Sequence, residues 1–290
     1  AAPEVKMAED REKSLKELLD SGMLYLAGKG VEDAATDAWL LLEEVFQISR
    51  SWYFAHSDTV VSGEQSRKYE ALIARRGQRI PLQHLIGKAW FYGLPFTVNE
   101  HVLIPRQDTE ILVEQALKRV RPGMRILDMC TGSGCILLSV LANCAEVSGL
   151  GVDLSEQALE VAKKNASDLK IEAEFCRSDL FEQVEGTFDL ILSNPPYIRT
   201  DVIPTLMPEV RDHEPRMALD GREDGLYFYR RILERTGDFL KPGGWLCFEI
   251  GYDQGEDLRR MMEMYGLEQI EIVRDLAGLD RTAVGRRGSD

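Results

Sequence analysis

Asn194-Pro195-Pro196-Tyr197 follows the apolar run Leu190-Ile191-Leu192 through a single Ser193. Two adjacent prolines fix two φ angles and remove two backbone donors, more rigidity than the end of a strand requires. Acceptors remain: the Asn194 side-chain oxygen and the Pro195 carbonyl. Two fixed acceptors match a planar –NH2 group, because they can take both of its N–H bonds. That localises the nitrogen lone pair for attack on a methyl carbon, and Tyr197 can stack on the planar group. Direct displacement needs the reacting atoms held about 3 Å apart and in line, which gives the rigidity of Pro195 and Pro196 a use. A simple proline turn is the plainer reading, and it leaves the Asn and Tyr without a purpose.

A second group of residues surrounds a glycine turn. In "RILDMCTGSGCILLSVL" (125–141) a strand runs into Gly132 and Gly134 and then into a helix. Glycines let a backbone approach a ligand closely, and the helix start offers free N–H groups. The dinucleotide fingerprint wants a small residue three positions after the second glycine; Leu137 stands there. A pyrophosphate ligand therefore loses ground. Three acids sharpen the alternative. Asp128 closes the strand before the loop, Asp153 closes the next strand in "GVDLS", and Asp179 follows the third in "CRSDLF". Asp153 lies about twenty residues past the glycines, where such folds hold ribose hydroxyls. One strand-end Asp is usually a helix cap; three in register with a glycine loop suit a nucleoside carrying a cationic group. S-Adenosylmethionine is such a ligand.

These residues need a frame to bring them together. From about residue 108 the chain alternates: helices over 109–120, 135–144, 155–166, 225–239 and 254–265, and strands over 125–129, 149–153, 171–176, 190–193, 245–250, 269–273 and 282–286, with a long irregular stretch over 195–223. Such alternation predicts a mostly parallel α/β sheet with helices on both faces. Residues 82–104 read as a β connection around Gly93-Leu94-Pro95. Residues 11–78 read as helices, with apolar positions recurring at Leu15, Leu18, Leu19, Met23 and Leu26, then Trp39, Leu41, Leu42 and Val45, then Tyr69, Leu72 and Ile73. The expected organisation is a helical domain over 1–80, a β-hairpin linker over 81–104 and a catalytic domain over 105–290.

Composition narrows the function. The 290 residues carry a formal net charge of −14, which opposes a nucleic-acid substrate because counterion release rewards basic surfaces. The basic stretch "RKYEALIARRGQR" (67–79) reads as a solvated helix face. Five cysteines without a Cys-x-x-Cys pair read as reduced thiols, and four scattered histidines show no metal-ligand spacing. No run approaches the roughly 20 apolar residues of a membrane span, and Ala1-Ala2-Pro3-Glu4 shows no leader pattern. The expectation is a cytoplasmic monomer with no metal and no membrane contact.

"DMCTGSG", "VDLS" and "SNPPYI" together resemble the class I S-adenosylmethionine-dependent methyltransferases that modify exocyclic or amide nitrogens. "FYGLPFTVNEHVLIPRQDTEILVE", "EPRMALDGREDGLYFYRRIL", "GGWLCFEIGYDQGEDLRRMM" and "DLAGLDRTAVGRR" are similar to the HemK/PrmC family, the protein-(glutamine) methyltransferases of peptide chain release factors. That family usually reads Pro-Arg-Pro-x-Thr-Glu where this chain has Pro105-Arg106-Gln107-Asp108-Thr109-Glu110. The resemblance implies a Rossmann-like, mostly parallel seven-stranded sheet behind a small all-α domain that docks the substrate. It implies methylation of the glutamine side-chain amide in the Gly-Gly-Gln motif of class I release factors. By position, Asp128, Cys130, Thr131, Gly132, Ser133 and Gly134 would surround the cofactor, and Asp153 with Leu154 would hold the ribose. Asp179 and Leu180 would flank the adenine, a place where relatives often have an aromatic residue, and Arg106 and Thr109 would close the methionine end. Asn194, Pro195, Pro196 and Tyr197 would hold the amide, with Asn194 also against the cofactor. Two alternatives stay open. A nucleic-acid adenine or guanine amino-group methyltransferase would use the same clamp, and a non-catalytic cofactor-binding subunit would not need it.

Overall fold

The structure, a computed structural model, describes residues 12–289 and divides between Ile86 and Gly87 into two compact units. The start Ala1-Ala2-Pro3-Glu4 lies outside the described residues.

The first unit is helical: α1 (Leu15–Gly28), α2 (Ala34–Phe46), α3 (Arg50–His56), α4 (Gly63–Gly77) and α5 (Leu82–Ile86). Ser14 and Glu17 form a capping box that starts α1, and Ser49 and Ser62 cap α3 and α4. Leu15, Leu18, Leu26, Trp39, Leu41, Leu42 and Tyr69 share one core. Inside it the Arg76 Nε donates to Asp37 Oδ2 at 2.7 Å, and the Tyr69 hydroxyl donates to the Ala38 carbonyl at 3.1 Å. The periodicity of the sequence reveals the three long helices only. At 7 and 5 residues, α3 and α5 are shorter than the window in which a helical period can be read. Leu82–Ile86, expected as part of a β connection, is the second of these.

The second unit opens with a hairpin, β1 (Lys88–Phe91) and β2 (Leu94–Thr97), closed by Tyr92-Gly93. It continues with α6 (Glu110–Arg119), β3 (Arg125–Met129), α7 (Cys135–Ala142), β4 (Ser148–Asp153), α8 (Glu156–Leu169), β5 (Glu174–Arg177) and β6 (Phe188–Ser193). Then come α9 (Pro208–His213), α10 (Tyr227–Phe239), β7 (Leu240–Glu249), α11 (Gly255–Met264), β8 (Leu267–Arg274) and β9 (Asp280–Arg287). The sheet order is β5-β4-β3-β6-β7-β9-β8, parallel from β5 to β7 and antiparallel for β9 and β8. After β3 the chain lays β4 and β5 to one side, and then β6 and β7 to the other. The order reverses between β3 and β6, and an open α/β sheet binds its ligand at the strand ends of that point.

Several boundaries differ from expectation. β5 begins at Glu174 because Ile171 N–H is spent on the Ala166 carbonyl at 2.9 Å, closing α8 past the left-handed Lys170. β7 begins at Leu240, and its Lys241–Gly244 segment lies in a register shift against β6. The stretch 195–223 contains α9 and two 3-10 turns, at 203–205 and 216–218. Among the described residues no helix is long and apolar enough to cross a membrane.

Candidate active site

β3 and β6 pair with Asp128 opposite Leu192 and Met129 opposite Ser193, so the glycine loop and the Asn-Pro-Pro-Tyr segment leave the sheet side by side. The Ser193 hydroxyl donates to the Met129 carbonyl at 2.7 Å and ties the two strand ends together. Beyond Met129 the chain turns through Cys130, at φ 61°, and Gly132, at φ 53°. Thr131 Oγ1 donates to Asp128 Oδ2 at 2.7 Å, and Thr131 N–H donates to the Val152 carbonyl at 2.9 Å.

Asp153 ties this turn to the next strand. Gly132 N–H donates to its Oδ2 and Ser155 N–H to its Oδ1, both at 2.9 Å. The side chain is thereby fixed with lone pairs still available. Burial pushes its carboxyl up, while the N–H groups of Ser155, Gly132 and Leu154 draw it down. Neither Asp128 nor Asp153 is a helix cap: Gly134 heads α7, and Ser155 caps α8 by accepting from Ala158 N–H.

A cavity of about 360 Å³ lies over these strand ends, lined by residues from His101 to Phe228. Of the residues singled out in the sequence, Arg106, Thr109, Cys130, Thr131, Gly132, Ser133, Asp153, Leu154, Asp179, Leu180, Asn194 and Pro196 are on its wall. The Asn194 side chain and the Pro195 carbonyl have no hydrogen-bond partner among the described residues, while Pro195 and Pro196 are both buried. Asp179 also meets Arg231 of α10 at 3.1 Å, a pair that its sequence neighbours do not announce. Leu180 sits at φ 52°, its carbonyl accepting from the Ser178 hydroxyl at 2.6 Å.

Asp128, Gly134, Pro195 and Tyr197 stand behind the wall rather than on it. Asp128 is fully buried with Thr131 on its Oδ2, and burial pushes the carboxyl up to about 7. Tyr197 departs from the expected stacking position. Its ring packs on the core that holds Tyr229 and Phe248, and its hydroxyl donates to Glu249 Oε1 at 3.2 Å, because β7 ends beside β6 with a buried acceptor.

Sequence reasoning missed three supports. Glu214, its side chain 1% exposed, accepts from Ile104 N–H at 3.0 Å and pairs with Arg106, joining the 101–106 wall to the 215–222 wall. Asn165 of α8 donates to the Ser133 carbonyl at 2.9 Å and to the Thr97 carbonyl at 3.0 Å, bracing the glycine loop from behind. Glu249 was legible in principle, since a carboxylate closing the apolar run Leu246-Cys247-Phe248 is the same signal that marked Asp128 and Asp153.

The wall suits an adenosine-like cation. Apolar Met129, Ile136, Val152 and Leu180 give it a face for a ring, Asp153 gives pinned acceptors for hydroxyls, and an added Cβ on Gly132 would meet open space.

Known proteins resemble this chain over most of its length. Residues 17–87 match the PrmC N-terminal domain and residues 106–207 the methyltransferase small domain. The chain is 40% identical over 270 residues to the release factor glutamine methyltransferase of Agrobacterium fabrum, covering 90% of this chain and 93% of that protein. It is 39% identical over 276 residues to the enzyme of the same name from Geobacter sulfurreducens, covering 95% and 97%. Among solved structures, a methyltransferase from Pyrococcus furiosus matches in fold with a TM-score of 0.52 at 20% identity, covering 74% of this chain and 99% of that one.

Proposed function

This chain belongs to the release factor glutamine methyltransferase family, and from that premise we propose that it methylates the side-chain amide nitrogen of the Gly-Gly-Gln glutamine in a class I peptide chain release factor. The sheet is that of the class I methyltransferases. The observation that carries the reading is Asn194, on the cavity wall at the end of β6, whose side chain has no hydrogen-bond partner among the described residues.

S-Adenosylmethionine, when bound, supplies an electrophilic methyl group and keeps the electron pair of the broken bond on its sulfur. Asp153 would accept from the ribose hydroxyls, Leu180 and Asp179 would border the adenine, and Thr109 and Arg106 would face the methionine end, with one Arg106 nitrogen held by Glu214. On the substrate side, the Asn194 oxygen and the Pro195 carbonyl would accept the two amide hydrogens. This draws the lone pair out of conjugation and aims it across the cavity. The new N–CH3 bond leaves a cationic nitrogen whose proton passes to water, so no strong base is required on the wall.

The test is methyl transfer from labelled S-adenosylmethionine to a purified class I release factor, native and with the Gly-Gly-Gln glutamine changed to alanine. Label on the native factor alone is the expected result. Label on DNA or RNA and on neither factor would overturn the substrate and leave the clamp.

A further inference from the structure

Tyr197 is held at two points, and both lie away from the cavity. Its hydroxyl donates to Glu249 Oε1 at 3.2 Å, and its carbonyl accepts from Gln254 Nε2 at 3.1 Å. Glu249 closes β7, the strand parallel to β6, and is 3% exposed. Gln254 stands immediately before α11 and is itself fixed. Its Oε1 accepts from Gly251 N–H at 2.8 Å, and its Nε2 also donates to the Gly225 carbonyl at 3.3 Å. Gly225 closes the cage, since a Cβ there would lie 2.5 Å from the Tyr197 carbonyl oxygen. One residue on, Ile198 N–H donates to the Leu219 carbonyl at 3.0 Å and the Ile198 carbonyl accepts from Gly221 N–H at 2.7 Å.

This support carries a cost. Glu249 is a buried carboxyl, and burying one opposes folding even where hydroxyl groups bond to it. Thr109, Asp108 and Arg281 face the same carboxyl. A core tyrosine needs only one buried acceptor, and a backbone carbonyl would serve at less cost. Between Tyr197 and Asn194 stand only two prolines with fixed φ, so an anchor at Tyr197 reaches the amide with little slack.

We propose that Glu249 and Gln254 are positioning residues of the transfer reaction: they hold Tyr197 by its hydroxyl and its carbonyl, and so fix the direction in which Asn194 presents the substrate nitrogen. The proposal deepens the function given above and rests on it for its kinetic readout. Tyr197 on this view is a tether, and its hydroxyl matters more than the face of its ring.

The experiment compares Tyr197→Phe, Glu249→Leu, Glu249→Gln and the double variant Tyr197→Phe/Glu249→Leu, with release factor and S-adenosylmethionine varied separately. Tyr197→Phe and Glu249→Leu are expected to lower kcat between about 10- and 100-fold, the penalty of a misaligned reacting group. KM for the release factor should stay within about threefold, as should S-adenosylmethionine affinity measured by calorimetry, because the ring and the wall remain. Glu249→Gln keeps an acceptor for the hydroxyl and should recover most of the rate lost in Glu249→Leu. The double variant should be no slower than the slower single, since both break one bond. A Tyr197→Phe enzyme with native kcat, or losses that multiply in the double variant, would overturn the proposal.

Amide exchange separates its failure from that of the substrate assignment. Ile198 N–H should exchange at least about tenfold faster in Tyr197→Phe with no substrate present. Unchanged exchange sinks the tether whatever the assay shows. Faster exchange in a protein whose native form does not label the release factor supports the tether and sinks the substrate assignment alone. Should Glu249→Leu fail to fold, Tyr197→Phe carries both readouts.

Discussion

Among the described residues, two buried carboxyls titrate far from where carboxyls ordinarily do, and neither lies on the cavity wall. Burial pushes Asp128, which faces Thr131 and Asp153, up to about 7, and does the same to Glu249, which faces Thr109, Tyr197, Arg281 and Asp108. Each group therefore binds its proton more tightly in the folded chain than in the unfolded one. The stability this confers is full below the ordinary carboxyl range and is lost as pH rises through about 7. The thermal midpoint of the ligand-free protein should fall between about pH 5.5 and about pH 8, and Asp128→Asn should flatten that slope. An unchanged slope in the variant would remove Asp128 from the account. At this scale the sequence was most legible where residue types were improbable together. Asn194 with two prolines, and Asp153 spaced from Gly132, stood out for that reason. Gln254, Asn165 and Glu214 are ordinary polar letters until the fold places them behind the loops they brace, so no local pattern could mark them.

The glycine loop shows how an element divides labour between neighbouring residues of one type. Gly134 begins α7 at φ 79°, and a Cβ there would press on Ala162 at 3.2 Å and Leu138 at 3.3 Å. Gly132 has φ 53°, but its missing Cβ faces open space beside the cavity. Gly134→Ala should therefore cost stability, about 1–2 kcal/mol from backbone handedness and more from the contact with α8. Gly132→Ala should cost about as much in backbone strain and should also weaken S-adenosylmethionine binding. Thermal midpoints and calorimetric affinities of the two variants check this; equal losses of affinity would defeat the division. The sequence marked both glycines as one motif. It could not say which one served packing, because α8 reaches the loop across more than twenty residues of chain.

For the whole molecule, the alternation of strands and helices after residue 108 foretold the parallel part of the sheet, and seven strands were legible. The swap that inserts β9 between β7 and β8 was not, since edge order depends on long-range pairing rather than on any local period. The net charge of −14 acts at this same scale. A roughly tenfold mass excess of duplex DNA or RNA should not slow transfer to the release factor at physiological salt, because the surface as a whole repels phosphates. Competitive inhibition by either would reopen the nucleic-acid alternative.

Cys130 stands on the wall of a cavity assigned to an alkylating cofactor. A thiolate is a far better methyl acceptor than a neutral amide, so an ionised Cys130 would make the enzyme its own substrate. Burial, together with the charges of Asp153 and Asp128, pushes this thiol up and keeps it protonated. The carboxyls beside the glycine loop thereby help to keep a thiol on the cavity wall from acting as a nucleophile. Chemoselectivity here comes from suppressing a competitor as well as from aiming the amide. Intact-mass measurement after long incubation with S-adenosylmethionine and no release factor should show the unmodified chain; a gain of one methyl on Cys130 would mean that this protection is absent.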